Sequence, residues 1–130
     1  MLLVVAGALC RREDKHVLLA QRQKGKTMAG LWEFPGGKVE TGEAPKAALI
    51  RELREGLGIT ATDLTPLAFA SKSCDLLLLL WSCVAWEGEP SGVEGQALRW
   101  VHVNDLYRQD MPELDASLIG PLRAFLAGEA

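Results

Sequence analysis

Acidic side chains are concentrated in residues 35–59, which read PGGKVETGEAPKAALIRELREGLGI. On a helix, Glu52 and Glu55 would face the same side, because side chains at i and i+3 are neighbours. Glu43, near the expected start of that helix, brings another carboxylate to the same corner. Hard oxygen donors without a histidine or cysteine cluster are typical of Mg²⁺ or Mn²⁺ sites. The pattern indicates a divalent-cation site, although a solvated helix face with an Arg51–Glu55 pair would have the same spacing.

Glycines occupy two kinds of position in this stretch. Gly36 and Gly37 follow a short apolar run, where a glycine pair lets the backbone approach a ligand and leaves carbonyl oxygens free for a cation. Gly56 lies inside the expected helix, where glycine costs about 1 kcal/mol relative to alanine. Its presence needs an explanation in terms of the carboxylates around it.

The elements that must position these residues alternate between strands and helices. A helix is predicted from Pro45 to Leu57, because proline suits the first turn and Gly58 suits the end. A last helix is expected between 115 and 126, with Gly120 and Pro121 kinking it or delaying its start. Short apolar runs predict strands at 2–9 and 17–21 as a hairpin, and at 32–34, 67–73, 75–86 and 97–103. We therefore expect an α+β fold, an α–β–α sandwich in which helices flank both sides of a mixed β-sheet.

Composition limits the class of protein. The chain has 130 residues, of which 48% are hydrophobic, which suits one compact domain over residues 1–130. Its net charge of −3 argues against binding to nucleic-acid polymers, which needs a basic surplus. The amino terminus lacks the features of a secretion signal, and the apolar run at 76–86 is shorter than the ~20 residues of a membrane span. We expect a soluble, cytoplasmic protein with no membrane partner, and both a monomer and a dimer stay open.

Residues 37–59 resemble the Nudix box, which consists of glycine, five residues, glutamate, seven residues, and then Arg-Glu-aliphatic-x-Glu-Glu-x-Gly-aliphatic. Gly56 is the one departure, since the pattern has a second glutamate there. The chain also resembles the MutT branch of Nudix hydrolases over nearly its full length, in the stretches LLAQR, MAGLWEFPGGKVE, WEGEP, EGQALRWV and 112–115. The matching positions of the box are Gly37, Glu43, Arg51, Glu52, Leu53, Glu55, Gly58 and Ile59.

The resemblance implies Mg²⁺- or Mn²⁺-dependent hydrolysis of a nucleoside triphosphate to a monophosphate and pyrophosphate. Such chemistry depends mainly on positioning and charge neutralisation. By analogy, Glu52 is the general base and Arg51 orients it. The implied metal ligands are the Gly36 carbonyl, Glu52, Glu55 and Glu94, and the implied phosphate contacts are Arg22 and Lys38. Glu33 either contacts the nucleoside or faces solvent.

Asp115 stands where the MutT branch carries a base-reading polar residue, although it could equally cap a helix N-terminus. An ionised carboxylate only accepts hydrogen bonds, which favours the N7–H of 8-oxoguanine or the amine of cytosine. The resemblance thus implies a nucleotide-pool sanitising enzyme that contributes to DNA repair, with 8-oxo-dGTP as first substrate. The alternatives are a pyrophosphohydrolase for CTP, dCTP or a modified form, and a nucleotide-binding module whose catalysis is weakened by Gly56. Hydrolysis of sugar nucleotides or dinucleotide polyphosphates is disfavoured, because the extra signatures of those branches are not recognised.

Overall fold

The computed structural model describes residues 1–128 of the chain. Residues 129–130, the end of the predicted domain, lie outside the described residues. The strands are β1 Leu2–Arg11, β2 His16–Gln21, β3 Trp32–Glu33, β4 Gly36–Lys38, β5 Thr60–Lys72, β6 Leu76–Glu87 and β7 Leu98–His102. The helices are α1 Pro45–Leu57, α2 Glu113–Ser117 and α3 Ile119–Leu126, with a 3₁₀ helix at Val103–Arg108.

The strands form a mixed sheet, as predicted. Its central order is β3-β2-β1-β6-β5, while β4 also pairs with β1 and β7 with β2. The pairing of β1 with β6 is parallel, and the other pairings are antiparallel. The expected hairpin of the first two strands is present, with Cys10 opposite Val17. The very apolar strand β6 lies between β1 and β5, which explains why it carries apolar residues toward both faces.

Helices cover both faces of the sheet, which confirms the predicted layers. Side chains of β1 alternate between two cores, because successive residues of a strand point to opposite faces. Val5 and Leu9 pack with Leu49 and Leu53 of α1. The second core combines Ala6, Ala8 and Cys10 of β1 with Leu118, Ile119 and Leu122 near the carboxyl end. Helix α1 is therefore fixed against the sheet by fully buried leucines.

Helix α1 has the predicted bounds and the predicted end signals. Pro45 occupies the first turn, and Gly58 adopts a left-handed conformation with φ of 71°. The Gly58 N–H donates to the Arg54 carbonyl at 3.0 Å, which closes the helix. Because the buried face carries only apolar residues, the charged residues Arg51 and Glu52 are left on the outer face.

Three elements differ from the sequence prediction. Residues 36–38, expected to end a strand, form β4 against β1, and a Cβ at Gly36 would collide with the Val5 carbonyl. Strand β5 begins at Thr60 rather than 67, with irregular pairing around Asp63 and Pro66. The last helix is two helices that meet at Leu118. Within residues 1–128, every helix is too short or too polar to cross a membrane.

Candidate active site

One cleft brings together several residues that the sequence analysis selected. The carboxylate-bearing Glu33, Glu52 and Glu94 line it, and Gly36 and Arg22 lie in its wall. The other lining residues are Ala20, Gln21, Gln23, Lys26, Pro35, Gly56, Leu57 and Gln96. The cleft therefore joins the end of β2, the β3–β4 corner, the outer face of α1 and the loop before β7.

Two neighbours determine where the Glu52 carboxylate lies: the adjacent residue on α1, and Gly37 on strand β4. The next residue, Leu53, is fully buried in the core, which fixes the rotation of α1 about its axis. The Glu52 carboxylate then occupies the space that a Cβ at Gly37 would need. Gly37 is thus a glycine because a side chain there would displace the predicted base.

Arg51 connects the acidic residues to one another. Its guanidinium donates to Glu52 at 2.9 Å and to both oxygens of Glu43 at 2.8 and 3.0 Å. It also donates to Glu55 at 3.3 Å and to the Lys38 carbonyl at 3.0 Å. Arg51 is thus bonded directly to Glu52, and its contacts also include the Arg51–Glu55 pair expected of a solvated helix face, while its orienting role stays a prediction. The hydrogen bond from Arg51 lowers the pKa of Glu43, so this anchor stays ionised.

Glu52 lies in an environment that would favour a cation. Burial raises the pKa of Glu52, while the hydrogen bond and charge of Arg51 oppose this effect. The negative charges of Glu55 and Glu94 raise the pKa further. A divalent cation among these oxygens would relieve that repulsion, and carboxylate and carbonyl oxygens are the donors that Mg²⁺ prefers. These oxygen donors are of the chemical type that would hold such an ion.

The donor atoms are nevertheless not fully gathered. In the part of the chain that the structure describes, residues 1–128, no three histidine, cysteine or acidic side chains already form a metal-ligand group. Glu55 is outside the residues that line the cleft, and its side chain is 60% exposed beside Arg51. For Glu55 to contact a cation in the cleft, its side chain would have to leave Arg51.

The predicted phosphate contacts differ in position. Arg22 lines the cleft, but its guanidinium donates to Glu33 at 3.0 Å, to the Thr27 carbonyl at 2.7 Å and to the Thr27 hydroxyl at 3.3 Å. These bonds fix the loop that follows β2. Lys38 is exposed and outside the cleft lining, whereas Lys26 lines the cleft and was missed. Lys26 lies in a loop without a motif, so only its charge could have drawn attention to it.

Glu33 is the last residue of β3, and Asp115 is bonded to the residue that follows it. Glu33 is partly buried, which raises its pKa, and the bond from Arg22 opposes that rise. Asp115 is buried at 7% exposure and accepts a hydrogen bond from the Phe34 N–H at 3.1 Å. The alternative N-cap role is wrong, because α2 starts at Glu113 after Pro112 and contains Asp115 inside it. Asp115 is not in the cleft lining itself.

Two glutamines in the cleft were also missed. Gln96 and Gln23 both donate hydrogen bonds to backbone carbonyls at the ends of the site, at Gly56 and Glu94. Glutamine carries no charge and forms no catalytic motif here, so its spacing gave no signal. Their role depends on contacts between residues that are far apart in the sequence.

Comparison with known proteins places the chain in one family. The NUDIX domain profile matches residues 1–120. The chain is 35% identical over 124 residues to the 8-oxo-dGTP diphosphatase of Escherichia coli, covering 93% of this chain and 96% of that protein. It is 38% identical over 126 residues to the CTP pyrophosphohydrolase of the same species, covering 95% and 90%.

A solved structure agrees with these sequence matches. A chain from a study of MutT from Aliivibrio salmonicida and Vibrio cholerae superposes with a TM-score of 0.86 at 33% identity, covering 95% of this chain and 98% of that one. With the NUDIX match over most of the chain, and with Arg51 and Glu52 joined on the outer face of α1, the chain belongs to the NUDIX domain family of hydrolases.

Proposed function

We propose that the protein hydrolyses a nucleoside triphosphate to a nucleoside monophosphate and pyrophosphate, and that 8-oxo-dGTP is its preferred substrate. The observation that carries the proposal is the Glu52 carboxylate, fixed by Arg51 and Gly37 in the wall of a cleft. The diphosphatase and pyrophosphohydrolase names of the relatives support the reaction class.

Glu52 accepts the proton of the attacking water in this proposal, and Arg51 keeps the carboxylate turned toward the cleft. The Gly36 carbonyl, Glu52, Glu55 and Glu94 would hold Mg²⁺ or Mn²⁺. Such an ion supplies charge neutralisation along the phosphates and makes water more acidic.

Positive side chains contribute the remaining neutralisation of the substrate. Lys26 lines the cleft, whereas Lys38 is exposed and lies outside the cleft lining. Arg22 supports the loop that carries Lys26, so its contribution is both electrostatic and structural.

Asp115 is the proposed base-reading residue. Its bond to the Phe34 N–H fixes the carboxyl group. Burial raises the pKa of Asp115 to about 7, with a smaller rise from the negative charge of Glu33, while the Phe34 bond acts in the opposite direction. Near neutral pH, Asp115 is therefore present both as an acceptor and as a donor of hydrogen bonds.

A cytidine triphosphate is the second candidate substrate. The identity to the CTP pyrophosphohydrolase, 38%, is no lower than the 35% to the 8-oxo-dGTP diphosphatase. A carboxylate at 115 accepts equally well from the amine of cytosine. The two substrates therefore have to be separated by rates.

A triphosphate panel with Mg²⁺ and with Mn²⁺ tests the proposal. We expect pyrophosphate rather than orthophosphate as the product, and a kcat/KM for 8-oxo-dGTP at least about 10-fold above that for dGTP, a gap of about 1.4 kcal/mol. Glu52→Gln should lower kcat by at least about 100-fold, because the base is lost. Near-equal rates on all ordinary triphosphates would contradict a sanitising role. Thermal stabilisation by nucleotide without product would instead indicate a binding module.

A further inference from the structure

One side chain links two of the loops that form the cleft. Residues 22–31 make the β2–β3 loop, and residues 88–97 make the β6–β7 loop. The Gln23 side chain donates through Nε2 to the main-chain carbonyl of Glu94 at 2.7 Å. In the part of the chain that the structure describes, this is the only hydrogen bond between the two loops. Their separation therefore depends on Gln23.

Each loop is held as a unit by other hydrogen bonds. The ends of the β2–β3 loop are joined, because the Arg22 N–H donates to the Leu31 carbonyl at 2.9 Å. The β6–β7 loop is bonded to the last turn of α1, where the Val93 N–H donates to the Gly56 carbonyl at 3.2 Å. A bond between two such ordered loops fixes the distance from one to the other.

Lys26 is the cation whose position this bond controls. Lys26 lies on the β2–β3 loop and lines the cleft. Its N–H donates to the Gln23 carbonyl at 3.3 Å, so the two residues belong to one turn. Burial raises the pKa of Glu33, and the charges of Arg22 and, less strongly, Lys26 oppose that rise. The ammonium group is thus near enough to act on a carboxylate of the cleft.

A bound triphosphate would contact both loops at once. Lys26 lies on one of them, and the other carries the proposed metal ligand Glu94. Loops that moved independently would have to be ordered on binding, at a cost in affinity. A hydrogen bond that already fixes their separation removes that cost before the substrate arrives.

We propose that Gln23 is a positioning residue that preorganises the cleft for the triphosphate, because it holds Lys26 at a fixed distance from the β6–β7 loop. The inference rests on the proposed function, since it assumes a polyphosphate in the cleft. The acceptor is the main-chain carbonyl of Glu94, so the bond does not depend on the carboxylate of that residue. Gln23 should therefore affect substrate affinity and leave the chemical step and metal binding unchanged.

Steady-state kinetics with 8-oxo-dGTP and Mg²⁺ tests the proposal. Gln23→Ala should raise KM about 3- to 10-fold, because one hydrogen bond is lost, and should keep kcat within about 2-fold of wild type. Gln23→Met should have the same effect, since methionine is an uncharged side chain of similar length without a donor. Wild-type KM in Gln23→Met, or a loss in kcat with KM unchanged, would overturn the proposal.

Gln109→Ala is the matched control. Gln109 accepts a hydrogen bond from Arg99 at 2.7 Å and lies outside the cleft lining. The control should keep both wild-type constants.

Coupling to Lys26 distinguishes positioning from a general structural role. Lys26→Ala should raise KM about 10-fold, because a charge-assisted contact to phosphate is lost. In that background Gln23→Ala should add less than about 2-fold, since no cation is left to position. Mn²⁺ affinity without nucleotide, measured by calorimetry, should stay within about 2-fold of wild type in Gln23→Ala. Equal rises of KM in both backgrounds, or a parallel loss of Mn²⁺ affinity, would contradict the positioning role.

Pyrophosphate release and direct binding separate this proposal from the proposed function. A wild-type chain that releases pyrophosphate while the Gln23 variants match it in KM overturns only the positioning role. Where wild type releases none, calorimetric binding of 8-oxo-dGTP replaces KM, and a 3- to 10-fold loss of about this size in Gln23→Ala supports positioning while hydrolysis is overturned. A chain that neither binds nor hydrolyses the triphosphate overturns both.

Discussion

At the scale of single residues, the position of the Glu52 carboxylate depends on the lack of a side chain at Gly37. A Cβ at Gly37 would overlap the Glu52 carboxylate, so any other residue there would shift the predicted base from its present position. Gly37 needs no left-handed backbone, since it lies in strand β4. Glycine is needed at position 37 because of the neighbouring Glu52 carboxylate and not because of the backbone conformation.

We therefore predict that Gly37→Ala lowers kcat by at least about 100-fold, because displacement of a general base by even 1 Å is costly. Steady-state kinetics and far-ultraviolet circular dichroism measure the effect and check that the fold persists. Gly120→Ala is the matched control, since a Cβ there meets nothing within 4 Å, and it should keep wild-type kcat. An active Gly37→Ala enzyme would show that Glu52 does not need its present position.

Asp115 gives a prediction about pH. Burial raises its pKa to about 7 from an ordinary 3.8, so between these values the folded chain holds a proton that the unfolded chain releases. Its contribution to stability is therefore fully present below about pH 4 and is lost as the pH rises through about 7. Asp115→Asn keeps an acceptor for the Phe34 N–H and removes the titration.

Urea unfolding at about pH 5 and about pH 8 measures this effect. The stability of Asp115→Asn relative to wild type should increase by roughly 1 to 3 kcal/mol between the two pH values, at about 1.4 kcal/mol per pKa unit. Parallel pH profiles for the two proteins would mean that Asp115 titrates normally.

At the scale of elements, one glycine inside α1 and one glycine directly after it have opposite requirements. Gly56 has helical geometry with space for a Cβ, whereas Gly58 has φ of 71° at the helix end. Gly56→Ala should raise the free energy of unfolding by about 0.5 to 1 kcal/mol, because alanine favours the helix. Gly58→Ala should lower it by about 1 kcal/mol, because the left-handed conformation disfavours a side chain. Chemical denaturation of both variants checks the signs, and a destabilised Gly56→Ala would indicate a hidden steric need.

At the scale of the whole molecule, local signals predicted local structure and distant contacts were missed. Proline, apolar spacing and glycine gave α1 with correct ends, because all three act within the helix. Strand β4 was missed because it forms only by pairing with β1, where the close approach of the Val5 carbonyl leaves no room for a side chain at Gly36.

The same distinction applies to the candidate site. The Nudix spacing located Glu52 and Arg51, but the bonds of Gln23 to Glu94 and of Asp115 to Phe34 join residues 71 and 81 positions apart. Such pairings depend on the assembled sheet. Sequence spacing alone therefore could not assign Gln23 to the site or exclude the cap role of Asp115.

The two cores lead to a prediction for the molecule as one unit. Leu49 and Leu122 are both fully buried, but they belong to cores on opposite faces of the same sheet. Each change to alanine should lower the free energy of unfolding by about 2 to 5 kcal/mol through lost contacts and a cavity. Since the residues belong to separate clusters, the double variant should show the sum within about 0.5 kcal/mol.

Because β1 contributes side chains to both cores, loss of either core should unfold the other as well, in one transition. Two separated transitions in calorimetry would contradict the prediction of one domain.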